Sequence, residues 1–119
     1  MILLDTNVFI YIANGTLPTD IIGKTDIGYA SITKIEALGF PTIPANELLI
    51  LTSLFNETYK LPLTDTIVDR AVKLRQLRRM SLGDAIVAAT ALEYDVELWT
   101  ADVKDFMHID GLKVSSPLQ

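Results

Sequence analysis

The chain has 119 residues, half of them hydrophobic, which suits one compact domain with a real core and argues against disorder. Cysteine is absent and His108 is the single histidine, so a disulfide scaffold, a Cys-ligated zinc site and a catalytic triad away from His108 are excluded. A formal charge of −5 counts against passive phosphate binding, unless several of the acids hold a cation that reverses their local effect.

Met1-Ile2-Leu3-Leu4 is a continuous apolar run and reads as a buried parallel strand ending at Asp5. Asn7 to Asn14 reads as a short helix stopped by Gly15, and a second short helix follows Pro18. Asp26 to Ala30 is a strand, after which Ser31 caps a helix through Leu38. Gly39, Pro41 and Pro44 mark a loop. Asn46 then caps a helix rich in leucine up to Phe55. Thr58 to Leu63 is a weak strand. Thr64 caps an amphipathic helix to about Met80, with Ile67, Ala71, Leu74 and Leu77 on one side. Ser81 caps a further helix, Leu82 to Tyr94, that is almost all small or apolar. Glu97 to Thr100 and Leu112 to Ser115 are the last strands.

Strands alternating with helices predict an α/β fold, a three-layer sandwich with a central parallel sheet flanked by helices, in one domain over residues 1–119. The N-terminus lacks the basic region of a secretory signal, and Pro41, Pro44 and Asn46 interrupt the apolar stretches. No membrane span is therefore expected, and the absence of cysteine fits a cytoplasmic setting.

In parallel sheets the ligand crevice lies beyond the carboxyl ends of the strands. Asp5 and Asp102 both follow strands and belong at that edge. Glu36 sits one helical turn beyond Ile32, and Asp84 opens the apolar helix after Ser81. Each acid also has an ordinary explanation. Asp5 fits a helix cap, Glu36 a surface glutamate, Asp84 a capping box that complements the helix dipole, and Asp102 an Asx-turn. Four acids meeting at one edge point to an acidic crevice, but their spacing does not identify a substrate.

Four segments are similar to the signature segments of PIN-domain nucleases: Leu3-Leu4-Asp5-Thr6-Asn7, Ser31-Ile32-Thr33-Lys34-Ile35-Glu36, Leu82-Gly83-Asp84-Ala85-Ile86-Val87-Ala88-Ala89-Thr90-Ala91 and Thr100-Ala101-Asp102-Val103-Lys104-Asp105-Phe106. Their order and spacing resemble the compact VapC-type toxins of toxin–antitoxin pairs, over essentially the whole chain. The resemblance implies an endoribonuclease that uses Mg²⁺ or Mn²⁺. It implies catalytic roles for Asp5, Glu36, Asp84 and Asp102, with Asp5, Asp84 and Asp102 as metal ligands. Thr6, Asn7 and Thr100 would hold the acids or a bound water, and Asp105 is the later acid of the last segment. A hard cation with oxygen ligands suits such chemistry, and no histidine is needed.

Arg70, Lys73, Arg75, Arg78 and Arg79 read as one helix. It is either a solvated face with Asp69–Lys73 pairing or a strip contacting RNA phosphates, Arg78 and Arg79 above all. Leu48, Leu49, Leu51, Leu54 and Phe55 exceed one helix face, so some meet a second copy or a cognate antitoxin, or else extend the core. His108 is expected at the surface and Trp99 in the core. Two rivals stand beside the nuclease: another acid-cluster phosphohydrolase with Asp5 as nucleophile, which wants an acid where Asn7 stands, and a non-catalytic binding module.

Overall fold

The computed structural model describes residues 1–118. Five strands form one sheet in the order β3-β2-β1-β4-β5, with every pairing parallel. They are β1 (Ile2–Leu4), β2 (Ile27–Ala30), β3 (Tyr59–Leu61), β4 (Glu97–Trp99) and β5 (Val114–Ser115). The helices are α1 (Thr6–Ala13), α2 (Ile21–Lys24), α3 (Ser31–Leu38), α4 (Ala45–Glu57), α5 (Asp65–Leu77) and α6 (Leu82–Tyr94), with a 3-10 turn at Val103–Asp105.

Side-chain alternation along the strands divides the core into two faces. Leu3, Ala30 and Leu98 pack with Ile67 and Ala71 of α5 and with Ala85, Val87 and Ala88 of α6. Leu4, Ile27 and Tyr29 pack on the other face with Val8 and Phe9 of α1 and with Leu51, Leu54 and Phe55 of α4. Phe9 stacks on Phe55 with ring centroids 4.6 Å apart, and Tyr29 meets Phe55 edge-on at 4.8 Å. The expected three-layer sandwich is therefore the observed one. Among the described residues no helix is long and apolar enough to cross a membrane.

Several local expectations need correction. Ser31 does not cap α3, whose cap position is Ala30; its hydroxyl instead accepts from the Leu63 amide at 3.2 Å. Asn46 lies inside α4, and Pro44 holds the cap position without a side-chain bond. α5 ends at Leu77, not Met80, and Leu77 is exposed. Arg78 and Arg79 thus sit in the α5–α6 connection, not on a helix. Arg75 closes that connection by donating to the Met80 carbonyl at 3.2 Å. Arg70 pairs with Glu93 of α6 at 2.8 Å, and the expected Asp69–Lys73 pair is not formed. In α4 the surplus leucines divide: Leu51 and Leu54 are buried, whereas Leu48, Leu49 and Ile50 are exposed.

Candidate active site

β1 is the pivot of the sheet. The chain adds β2 and β3 on one side of it, then returns to add β4 and β5 on the other. The carboxyl ends of β1 and β4 therefore form the topological switch point, where parallel sheets open a crevice. Leu4 pairs with Trp99, and the Asp5 amide extends the ladder by donating to the Trp99 carbonyl at 2.9 Å. That register sets Asp5 beside Thr100.

Asp5 is only 6% exposed. Its Oδ1 accepts from the Thr6 amide at 2.8 Å and its Oδ2 from the Thr100 hydroxyl at 2.8 Å. It is the cap residue of α1 as well as a member of the acid cluster. Thr100 is fully buried, and its hydroxyl also accepts from the Asp102 amide at 3.1 Å. Asn7 donates from Nδ2 to Asp102 Oδ2 at 3.0 Å, joining the start of α1 to the loop after β4. Thr6 Oγ1 donates to Glu36 Oε1 at 2.7 Å and lies 3.3 Å from the hydroxyl of buried Thr33. Glu36 itself is exposed, although Ile32 one turn before it packs against the core; the buried positions of α3 are Thr33 and Ala37.

Asp84 occupies the first turn of α6, where Ser81 Oγ accepts from its amide at 3.1 Å. Burial raises the Asp84 pKa, and the negative charges of Asp105, Glu36 and Asp102 add to the rise against the Ser81 hydroxyl. Burial pushes Asp5 up to about 6, with Asp84 and Glu36 adding and the Thr100 and Thr6 hydrogen bonds opposing. Asp84 is thus within electrostatic range of Asp5, Glu36 and Asp102, and Asp5 within range of Glu36. No lysine or arginine pairs with any of them among the described residues, since the ion pairs lie elsewhere.

An all-oxygen cluster with uncompensated charge fits a hard divalent cation. Among the described residues, no three acids already converge as a ready-made ligand cage. Beside Asp84 lies a polar pocket of about 250 Å³ lined by Arg78, Arg79, Met80, Ser81, Asp84, Asp105 and His108. Asp105 is exposed there and interacts with the cluster only through its charge. His108 is not the surface residue expected. Both ring nitrogens are buried, with no hydrogen-bond partner among the described residues. The surroundings of Thr33, Gly83 and His108 escape sequence reasoning, because they depend on neighbours distant in the chain. Trp99 is half-buried against the core, its Nε1 donating to Glu97 at 3.0 Å.

The family model for the PIN domain matches residues 2–112, and the chain belongs to that family. Among solved structures it is similar to a chain of a toxin-antitoxin complex from Klebsiella pneumoniae, at 28% identity and a TM-score of 0.77, over 98% of each chain. It is also similar in fold to a chain of VapBC2 from Rickettsia felis bound to a DNA fragment from their promoter, at 18% identity and a TM-score of 0.81, over 98% of each chain. A chain of DNA-bound VapBC from Salmonella typhimurium gives 16% identity and a TM-score of 0.82, over 97% of this chain and 96% of that one. No curated protein matches it in sequence.

Proposed function

We propose that the chain is a VapC-type toxin, an endoribonuclease that hydrolyses RNA phosphodiester bonds with Mg²⁺ or Mn²⁺ and is restrained by a cognate antitoxin. The observation that carries this reading is the cluster of acids at the switch point, held by hydroxyl and amide donors and left without a protein counter-ion. PIN family membership and the likeness to chains of toxin–antitoxin complexes support it.

Asp5, Asp84 and Asp102 would hold the metal. When bound, a hard divalent cation supplies activation of water and neutralises charge developing on the phosphate. Thr100 fixes the Asp5 carboxylate and Asn7 fixes that of Asp102. Glu36, held by Thr6, orients the attacking water and takes its proton. Asp105 adds negative charge at the rim. Arg78 and Arg79 neutralise RNA phosphates beside Asp84. The chain acts in the cytoplasm as one nuclease domain and pairs as a homodimer. The exposed Leu48, Leu49 and Ile50 receive an apolar segment of the antitoxin. An antitoxin arginine then reaches the acids in place of the cation, because a guanidinium matches paired carboxylates.

The test is cleavage of a random-sequence RNA pool, with mapping of the new ends. Cleavage that requires Mg²⁺ or Mn²⁺ and disappears in Asp84→Asn is the expected result. Undiminished cleavage in EDTA, or by Asp84→Asn, overturns the mechanism. RNA binding without cleavage under any metal condition would make the chain a non-catalytic binding module.

A further inference from the structure

We propose that Gly83 is a positioning residue for Glu36: the missing side chain at this one position of α6 lets the Glu36 carboxylate seat beside Asp84. The inference rests on the nuclease reading above. A Cβ built on Gly83 would lie 2.7 Å from Glu36 Oε2, 3.2 Å from Cδ and 3.3 Å from Oε1. The whole carboxylate therefore lies against the glycine. From the other side, Thr6 Oγ1 donates to Oε1 at 2.7 Å. Glu36 is clasped between a hydroxyl and a bare Cα.

Nothing in the backbone asks for glycine here. The positive-φ glycines are Gly15 and Gly111, so Gly83 has a conformation open to any residue. It is a helical residue in the first turn of α6, where glycine is disfavoured relative to alanine. The space it leaves is the remaining explanation. The amino end of a helix is also where a carboxylate is best accommodated, through the dipole and the free amides. Glu36 is otherwise exposed, on a long side chain with many rotamers, so without the seat the Thr6 hydrogen bond alone would hold it. The added methyl of alanine would press only on the far end of that flexible side chain. Its displacement should therefore harm the site and spare the fold.

The test is Gly83→Ala in the full chain, read in four ways. The melting temperature is expected to stay the same or rise, because helix propensity improves. Mn²⁺ affinity by calorimetry should hold within about threefold, since the three aspartates are untouched. Cleavage of the random RNA pool should fall about tenfold or more. A crystal structure should show the Glu36–Thr6 hydrogen bond broken. In a Glu36→Gln background the same glycine change should cost less than about twofold, because its effect runs through Glu36. Thr6→Val, which opens the clasp from the other side, should lose cleavage in the same way. Wild-type cleavage by Gly83→Ala overturns the proposal, as does an intact Glu36–Thr6 bond, a fall in melting temperature, or an equal loss in the Glu36→Gln background. Asp84→Asn in the same assay separates the two readings. If it cleaves like wild type, the nuclease reading fails, while the crystallographic distance still decides the seat of Glu36.

Discussion

The carboxylates of the crevice are held by neutral donors. Thr100 and Asn7 each give one hydrogen bond to an acid and Thr6 gives two, and none brings a positive charge. Such donors fix geometry while leaving the negative charge available to a cation. Two basic residues, Arg78 and Arg79, line the pocket beside Asp84 but form no ion pair among the described residues. In the proposed function they meet RNA by its phosphates. Arg78→Ala together with Arg79→Ala should weaken RNA binding and flatten its dependence on salt. Each phosphate contact on a single strand contributes about 0.7 to the slope of log K against log salt, so a double change should lower the slope by about 1.4. Filter binding across a salt series checks this. An unchanged slope would mean that these arginines are only solvated.

Among the elements, α4 has two faces that touch different things. Leu51, Leu54 and Phe55 close the core over α1 and β2, while Leu49 is 72% exposed. Leu49, Ile50 and Leu54 also line a groove of about 590 Å³ shared with Ile22 of α2. A glutamate at 51 or 54 would be buried and would damage the fold. Leu49→Glu tests the outward face alone. It should weaken a complex with the antitoxin by about tenfold or more, roughly 1.4 kcal/mol, with unchanged cleavage by the free chain. Titration by calorimetry, paired with the RNA assay, reads both quantities. An undiminished affinity would move the antitoxin contact to another face.

At the scale of the whole molecule, the acid cluster makes stability depend on pH. The pKa of Asp5 rises from 3.8 to about 6 in the folded chain. The folded state therefore keeps a proton that the unfolded chain gives up at lower pH. Between these two values folding is linked to proton binding, and stability falls as pH rises. Burial moves Asp84 in the same direction. Across the full window the Asp5 contribution is about 3 kcal/mol. Urea unfolding of the metal-free protein should show wild type losing about 1.4 kcal/mol more than Asp5→Asn between about pH 5 and about pH 7.5. Added Mn²⁺ should restore wild type and do little for Asp5→Asn. Parallel curves for the two proteins would show that Asp5 carries no such cost.

Short-range physics made much of this protein legible in its sequence. The apolar run before Asp5 reads as a buried strand, and it is β1. Ser81 and Thr64 cap their helices as their positions predict. The alternation of elements already implies a parallel sheet, and with it the edge where Asp5 and Asp102 emerge. The ends of α5 and the cap positions of α3 and α4 were less legible, because several residues compete for each terminus and tertiary contacts choose among them. Ser31, for example, serves the Leu63 amide across the fold. Only the tertiary structure decided the strand order that puts β4 beside β1, and hence the meeting of Asn7 with Asp102 and of Thr100 with Asp5. It alone decided which leucines of α4 face water, that the ring nitrogens of His108 are buried, and that Gly83 leaves room for Glu36. These depend on side chains brought together from distant parts of the chain, and no local propensity or spacing encodes which surfaces will meet.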